Sequence, residues 1–394
     1  MQNKRNLIFS FFSGAGFLDL GFENAGFEIA FVNENCEAFL NAYKHSRAKL
    51  GHAEPAFGYS CESIESFVDG RKSLSKELKQ YITQGRASGA LIGFIGGPPC
   101  PDFSNAGKHQ GFSGENGNLT RIYFDLVKKQ RPDWFLFENV KGLLHTKKHR
   151  QFFNEIFQEI HEAGYAISRE MLNALEFGVP QYRERVVIFG IKRTLCFSDL
   201  RAPASSDGVS FSELKSFCLR KHKKHSAERV LKAPWPETHT FKANGKRNVP
   251  GKIPLALTVQ HWFEKNRVET HPNANHHFLP TEGNDRFSTV EEGCASGKSY
   301  KRLHRWRYSP TAAYGNNEVH LHPYKPRRLS AAEALAIQSL PKNFELPADM
   351  PLSYMFKTIG NGVPYLMAEA IAQSVQEYLL MLKDNALENR KAAS

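Results

Sequence analysis

The chain has 394 residues, 41% of them apolar and 12% aromatic, a composition that excludes a disordered polypeptide and leaves room for a large and a small folded unit. No apolar run of roughly 18 residues exists, which excludes a membrane-spanning helix, and the six cysteines show no CxxC pair or regular spacing, which argues against a disulfide framework or zinc ribbon and for a reducing compartment. The formal net charge of +12 is concentrated: residues 191–330 carry 25 Lys and Arg against 12 Asp and Glu, while the remainder carries 27 against 28. A near-neutral body with one basic block is the pattern of a polyanion-binding module on a scaffold.

Residues 7–12 read as a first buried strand; the apolar run is short for a signal peptide and no clean cleavage site follows it. Phe12-Ser13-Gly14-Ala15-Gly16 follows directly, and glycines after a strand let the backbone turn tightly against a nucleotide-like ligand. A second strand, 27–32, leads to Glu34, eighteen residues after Gly16, where a carboxylate reaches ribose hydroxyls. The third glycine of a dinucleotide fingerprint is missing, since Asp19 stands in its place. The loop therefore suits a ligand without phosphates, such as S-adenosylmethionine, better than NAD. Residues 66–89 are polar and charged and are expected to form an excursion between two elements.

Strand 91–95 then runs into Gly96-Gly97-Pro98-Pro99-Cys100-Pro101-Asp102-Phe103-Ser104. Proline fixes its own φ and pushes its predecessor toward extended geometry, so Cys100 sits on a stiff loop at a strand end. That edge is where open α/β sheets bind ligands. A helix over 122–130 leads to a strand over 134–137 that ends in Glu138, a carboxylate at the same edge as Cys100 if the strands are parallel. A partly desolvated glutamate there has a raised pKa and can hold or deliver a proton. A helix over 150–163 follows, then Gln181-Tyr182-Arg183-Glu184-Arg185 before a strand over 186–191. Alternation puts Arg183 and Arg185 on one face, side by side for a phosphate or carboxylate. Strands alternating with helices predict a largely parallel, doubly wound α/β sheet over 1–190.

From 191 to 326 apolar periodicity weakens and ten of the sixteen histidines fall in 191–330, predicting a small loop-rich domain with no helix beyond a few turns. Regularity returns over 327–394. Ser330 and Glu333 form a capping box for a helix over 331–338. Gly360-Asn361-Gly362-Val363-Pro364 precedes a last amphipathic helix over 365–382, with a polar tail expected to fray after Lys383.

These pieces, in this order, resemble the DNA (cytosine-5) methyltransferase family. The resemblance rests on Phe12–Gly16, Asn33-Glu34-Asn35, Pro99-Cys100 with Phe103-Ser104, Glu138-Asn139-Val140, Gln181-x-Arg183-x-Arg185, 327–341 and Gly360–Pro364, and covers about residues 7–191 and 307–380. It implies a Rossmann-like S-adenosylmethionine-dependent catalytic domain over 1–190, a target-recognition domain over 191–326, and a C-terminal segment over 327–394 that returns to the catalytic domain. It implies that Cys100 is the nucleophile, that Glu138 engages the cytosine N3 and exocyclic amine, and that Arg185, with Arg183 beside it, contacts the cytosine O2 and orients Glu138. Cofactor contacts would come from Phe12, Ser13, Gly14, Ala15, Gly16 and Glu34 with Asn35. Pro99, Asn361 and Val363 would complete them, and Glu62 with Ile64 would supply the adenine contact. Ser104, Gln181 and Thr311 would face DNA. No metal is implied.

Three departures bear on loop geometry and adenine contact: Pro101-Asp102 after the cysteine, Phe17 in place of a frequent glycine, and an acidic-plus-Ile element present only as Cys61-Glu62-Ser63-Ile64. The expected partner is double-stranded DNA, with no membrane; the expected product of the cofactor is S-adenosylhomocysteine. Stretches 220–232 and 298–307 are candidates for base readout, and His271, His276 and His277, lacking finger-like spacing, are read as DNA-facing or surface residues. The lack of an added regulatory domain points to a restriction–modification or solitary prokaryotic enzyme rather than a chromatin one; it is expected to be monomeric and cytoplasmic, acting beside a separate endonuclease where one exists. The competing readings are a tRNA cytosine-5 methyltransferase and a catalytically inactive DNA-binding homologue.

Overall fold

The structure, a computed structural model, describes residues 5–99, 115–144, 147–202, 211–280, 283–297, 299–312, 314 and 318–392. Its centre is an eight-stranded sheet of β1 (Asn6–Phe11), β2 (Glu28–Asn33), β3 (Tyr59–Ser60), β4 (Leu91–Gly96), β5 (Trp134–Val140), β6 (Tyr165–Asn173), β7 (Glu184–Lys192) and β8 (Phe211–Ser212), in the order β3-β2-β1-β4-β5-β7-β6-β8. The first half is parallel, as expected; β7, β6 and β8 are antiparallel to their neighbours, so the sheet is mixed rather than largely parallel. The cause is the short β6–β7 connection. Asn173 and Glu176 close a capping box over the 3-10 turn Ala174–Phe177, and Gly178 takes the left-handed φ of 88° that ends it. So short a link leaves no room for the crossover helix that parallel strands need.

Around the sheet lie α1 (Phe17–Asn24), α2 (Glu37–Leu50), α3 (Glu65–Val68), α4 (Ser73–Ala87), α5 (Glu115–Gln130) and α6 (Lys147–Glu162). Among the described residues of the basic block the α-helices are the short α7 (Ala227–Leu231), α8 (Val259–Lys265) and α9 (Arg286–Thr289), and the chain closes with α10 (Ala331–Ile337), α11 (Leu352–Asn361) and α12 (Tyr365–Ala392). The expected excursion over 66–89 is mostly α4, whose Leu78 and Ile82 are buried on the sheet while its lysines face solvent. The tail expected to fray instead continues α12 to Ala392.

Strand alternation divides the core. Leu7, Phe9 and Phe11 of β1 face one layer with Phe94, Phe124 and Ile156, whereas Ile8 faces the other with Phe22, Ile371 and Val375. In that second layer α1 packs directly on α12, because a Cβ at Gly21 would lie 2.5 Å from the Glu369 backbone nitrogen. Cys196, Leu214, Phe217 and Leu219 join the same layer, so the first part of the basic block packs on the sheet. Leu175, Val230 and Leu257 form a small separate cluster where α7 meets the 174–177 turn. No helix among the described residues is long and apolar enough to cross a membrane.

Candidate active site

The parallel strands deliver their carboxyl ends to one edge. After β1, Phe12 adopts a left-handed φ of 54°, rare for a bulky side chain and a mark of a constrained functional turn. Gly14 and Gly16 are also left-handed, at 56° and 82°. The loop is pinned from several sides. Gly14 N–H donates to Glu34 Oε2 (2.9 Å), Ala15 N–H to the Thr358 hydroxyl of α11 (3.2 Å), and Gly16 N–H to Ser13 carbonyl (2.8 Å). Glu34 Oε1 also accepts from Cys36 N–H (2.9 Å). Burial raises the Glu34 carboxyl above the usual range, opposed by these two N–H bonds and by the nearby Lys357 charge.

These contacts test the loop against candidate ligands. A phosphate needs free backbone N–H groups, and here those of Gly14, Ala15 and Gly16 are engaged, with a carboxylate alongside. A sulfonium cofactor needs neither; its ribose hydroxyls would find the remaining lone pairs of Glu34. The Ser13 hydroxyl is buried and makes no hydrogen bond within the described residues, leaving it a polar group for such a ligand. The residues fit S-adenosylmethionine.

On the neighbouring strand, β4 ends at Gly96, and the chain continues through Gly97-Pro98-Pro99 toward the cysteine. Cys100 and Ser104 lie outside the described residues. Asn139 Nδ2 donates to Pro98 carbonyl (3.2 Å) and so ties the base of that loop to β5, a role the sequence reading did not assign. Gly97 is required there: a Cβ would stand 2.9 Å from Glu138 Oε2. Glu138 is 6% exposed, and burial pushes its carboxyl upward against the charges of Arg185 and Arg183. Its Oε1 pairs with Arg185 Nε at 2.9 Å. The antiparallel register makes this possible, since Val140 pairs with Arg185 and the start of β7 therefore lies at the end of β5.

The other expected residues divide. Glu62 is exposed, on a segment tied to β2 by Asn33 Nδ2 donating to Glu62 carbonyl (2.8 Å); Asn35 is exposed nearby, and the Ile64 side chain is packed in the core. Asn361 is exposed at the end of α11, and Val363 is buried beneath it. Pro99 is half-buried. The buried guanidinium of Arg183 donates to the carbonyls of Ala312 (3.1 Å) and Gly360 (2.9 Å), so it holds the end of α11 in the C-terminal segment, and its charge also acts on Glu138. Gln181 is fully buried, donating to Gln338 Oε1 (3.2 Å) and accepting from Ala312 N–H (3.1 Å), a seam residue rather than a DNA contact. Thr311 is half-buried and donates to Tyr182 carbonyl (2.7 Å).

Among the described residues of stretch 298–307, two of the four basic side chains, Arg302 and Arg305, are turned inward. Arg302 is fully buried, donating to the carbonyls of Val290 (2.7 Å), His322 and Phe287 (both 2.6 Å), and Arg305 pairs with buried Glu292 at 2.8 Å. His271 is also buried, one ring nitrogen 3.0 Å from Phe344 carbonyl and the other accepting from Asn273 N–H, so it is neither a surface nor a DNA-facing residue. His276 contacts Ala348 carbonyl at 3.0 Å. Stretch 220–232 keeps Lys221, Lys223, Lys224, Arg229 and Lys232 exposed.

A sheet edge of this kind fits the class of Rossmann-like proteins that bind S-adenosylmethionine. Sequence comparison gives the family: residues 72–377 match the C-5 cytosine-specific DNA methylases, and the chain belongs to that family, making it a DNA cytosine methyltransferase. It is 52% identical over 378 residues to the Type II methyltransferase M.NmeDI of Neisseria meningitidis serogroup C, covering 96% of this chain and 85% of that one. It is 31% identical over 396 residues to M.FnuDI of Fusobacterium nucleatum, covering 94% of each. In fold it is similar to a prophage-encoded DNA modification methyltransferase of E. coli (TM-score 0.60, 23% identity, 95% of this chain and 99% of that one). It is likewise similar to the S. pombe Dnmt2 methyltransferase (TM-score 0.56, 12% identity, 96% and 99%).

Proposed function

We propose that Cys100, Glu138 and Arg185 carry the methylation of a cytosine flipped out of duplex DNA, at a sequence read by the basic block. The observation that supports this most is the buried Glu138–Arg185 pair at 2.9 Å, set against Gly97 at the root of the cysteine loop. Cytosine C5 is a poor nucleophile. The Cys100 thiolate adds to C6, forming the S–C6 bond and placing electron density on C5. A proton held by Glu138 at N3 stabilises that charge, and Arg185 orients the carboxyl while contacting O2. Bound S-adenosylmethionine supplies the electrophilic methyl group, leaving as S-adenosylhomocysteine. Loss of the C5 proton then expels Cys100 and restores the ring. An ordinary thiol, pKa near ~8.5, is only a few per cent ionised at neutral pH, so the loop must activate it. Flipping the base takes roughly a few kcal/mol.

Phe12, Ser13, Gly14, Ala15 and Gly16 with Glu34, Asn361 and Val363 would line the cofactor site, with Glu62 at the adenine end. The basic block over 191–326 would be the target-recognition unit, its exposed lysines over 221–232 meeting phosphates or base edges. Relatives named Type II methyltransferases favour an enzyme partnered in the cell by a separate endonuclease of the same specificity. The test is incubation with mixed-sequence duplex DNA and labelled S-adenosylmethionine, with Cys100→Ser alongside and tRNA as a parallel substrate. 5-Methylcytosine in DNA from the wild type alone is expected; product on tRNA and none on DNA would overturn the reading.

A further inference from the structure

The cofactor loop is held from above by Glu34 and Thr358, and a third anchor reaches it from below. Arg47 of α2 is 2% exposed, and its Nη2 donates to Gly16 carbonyl at 2.6 Å. That same carbonyl accepts from Leu20 N–H (3.0 Å), so it is the first hydrogen-bonded group of α1, and Gly16 is its N-cap, at φ 82° and ψ 28°. The guanidinium pairs with Glu23 through Nε (2.7 Å) and lies 4.5 Å above the Tyr43 ring. Tyr43 donates its hydroxyl to Asp19 Oδ2 (3.0 Å), whose other oxygen accepts from Ser10 of β1 (2.9 Å). Contact is tight: a Cβ on Gly16 would stand 2.5 Å from the Tyr43 ring and 2.7 Å from Arg47 Nη2.

We propose that Arg47 is a positioning residue for the cofactor, fixing through the Gly16 carbonyl the left-handed turn against which S-adenosylmethionine binds. This rests on the glycine loop being the cofactor site. A glycine at φ above zero has ready alternatives on either side of its peptide, and a free Gly16 carbonyl would let the turn relax before α1 begins. Arg47 removes that freedom, while Glu23 and Asp19 balance its buried charge and the Tyr43 ring sets its height. Burial is what makes the pairing obligatory, because a guanidinium cut off from water must find acceptors. Asp19, in the place of a third fingerprint glycine, thereby has a physical role: it braces the helix that supplies the clamp. Burial pushes its carboxyl up to about 6 against the Arg47 charge.

The test compares Arg47→Lys, Tyr43→Phe and Glu34→Ala in the full chain, reading thermal stability, calorimetric affinity for S-adenosylhomocysteine, and methylation kinetics. Lysine keeps the charge but cannot bridge Glu23 and the Gly16 carbonyl at once. Arg47→Lys is expected to raise the cofactor KM and the S-adenosylhomocysteine Kd about tenfold, with kcat at saturating cofactor falling less than twofold. Tyr43→Phe, which keeps the ring, is expected to raise them about threefold. A merely structural role would lower the melting temperature and leave both constants where they were, which overturns the proposal. If Arg47→Lys does not fold, Tyr43→Phe decides by the same criterion. Glu34→Ala separates the two levels: loss of binding there with unchanged Arg47 and Tyr43 variants overturns the clamp alone, whereas intact binding in Glu34→Ala overturns the cofactor site and the clamp with it.

Discussion

Adding one methyl group at Gly362 should reveal how tightly the turn after α11 and the glycine loop after β1 are locked. Gly362 lies between Asn361 and Val363 with an ordinary φ of −61°, so alanine meets no backbone strain there. The obstacle is the Phe17 ring: a Cβ would stand 2.3 Å from its Cδ2 and 2.8 Å from its Cε2. Phe17 is 2% exposed and is held edge-on by Phe344 at 5.2 Å, so the ring cannot swing away freely. Overpacking of this kind costs about 1–3 kcal/mol. In a Phe17→Ala background, itself destabilised by about 3–5 kcal/mol, the methyl group enters the vacated space. There Gly362→Ala should be neutral or stabilise by ~0.5 kcal/mol through the unfolded chain. The coupling in a double-mutant cycle is then about 1–3 kcal/mol. Denaturant unfolding of the four proteins, with m-values compared, measures it. An equal cost of Gly362→Ala in both backgrounds would refute the argument. The cofactor KM should follow stability, because Phe17 directly follows Gly16 while Gly362 directly follows Asn361.

Glu138→Gln keeps the shape but cannot deliver a proton, so single-turnover methylation should slow 10²–10⁴-fold with S-adenosylhomocysteine affinity intact. Because burial raises the Glu138 carboxyl, the wild-type rate should fall as pH rises through its folded pKa, a limb absent from the glutamine variant. Buried neutral histidines should contribute to acid lability: burial lowers His320 to about 3 and His304 to about 4, so their contribution to stability is complete above the ordinary 6.5 and is lost as pH falls below it. Each should give a slope of up to about 1.4 kcal/mol per pH unit in unfolding titrations, and His320→Phe should flatten the curve. Gln181→Ala should cost about 1–3 kcal/mol by leaving the Ala312 N–H unpaired, yet leave the salt dependence of DNA binding unchanged. A reduced salt slope would return Gln181 to the DNA surface.

The strands with uniform apolar character were legible: β1, β2, β4, β5 and β7 fall within a few residues of their expected positions. β6 was not, because Ser168, Arg169 and Glu170 interrupt it. Their polar groups are accommodated by tertiary contacts that no local pattern reveals; Arg169 lies 5.1 Å above the Phe157 ring and 4.7 Å above Phe211, and Glu170 accepts from Leu219 N–H. With β6 unseen, the interval from Glu138 to Val186 looked like another helical crossover, and the parallel expectation followed. The same blindness affected charge. Arg302 and Arg305 count toward a basic block in sequence, but one is enclosed by carbonyls and the other by Glu292. Ser330, by contrast, was legible because a capping box needs only three residues of local spacing, and both of its hydrogen bonds are present.

The cofactor loop shows where sequence spacing stops and tertiary structure decides. A glycine turn after a first strand can cradle a phosphate or approach a ribose, and the two differ in where its N–H groups point. Asp19 and Glu34 already weighed against a pyrophosphate, one by occupying a glycine position and the other by its charge. Thr358, 343 residues beyond Ala15, decides between phosphate and ribose: its hydroxyl takes the N–H a phosphate would have used. Arg183 fixes the same C-terminal stretch through Gly360 carbonyl while its charge acts on Glu138. The segment whose Thr358 takes up the Ala15 N–H at one end of the sheet edge is thus held by the arginine whose charge opposes the burial-raised Glu138 carboxyl at the other.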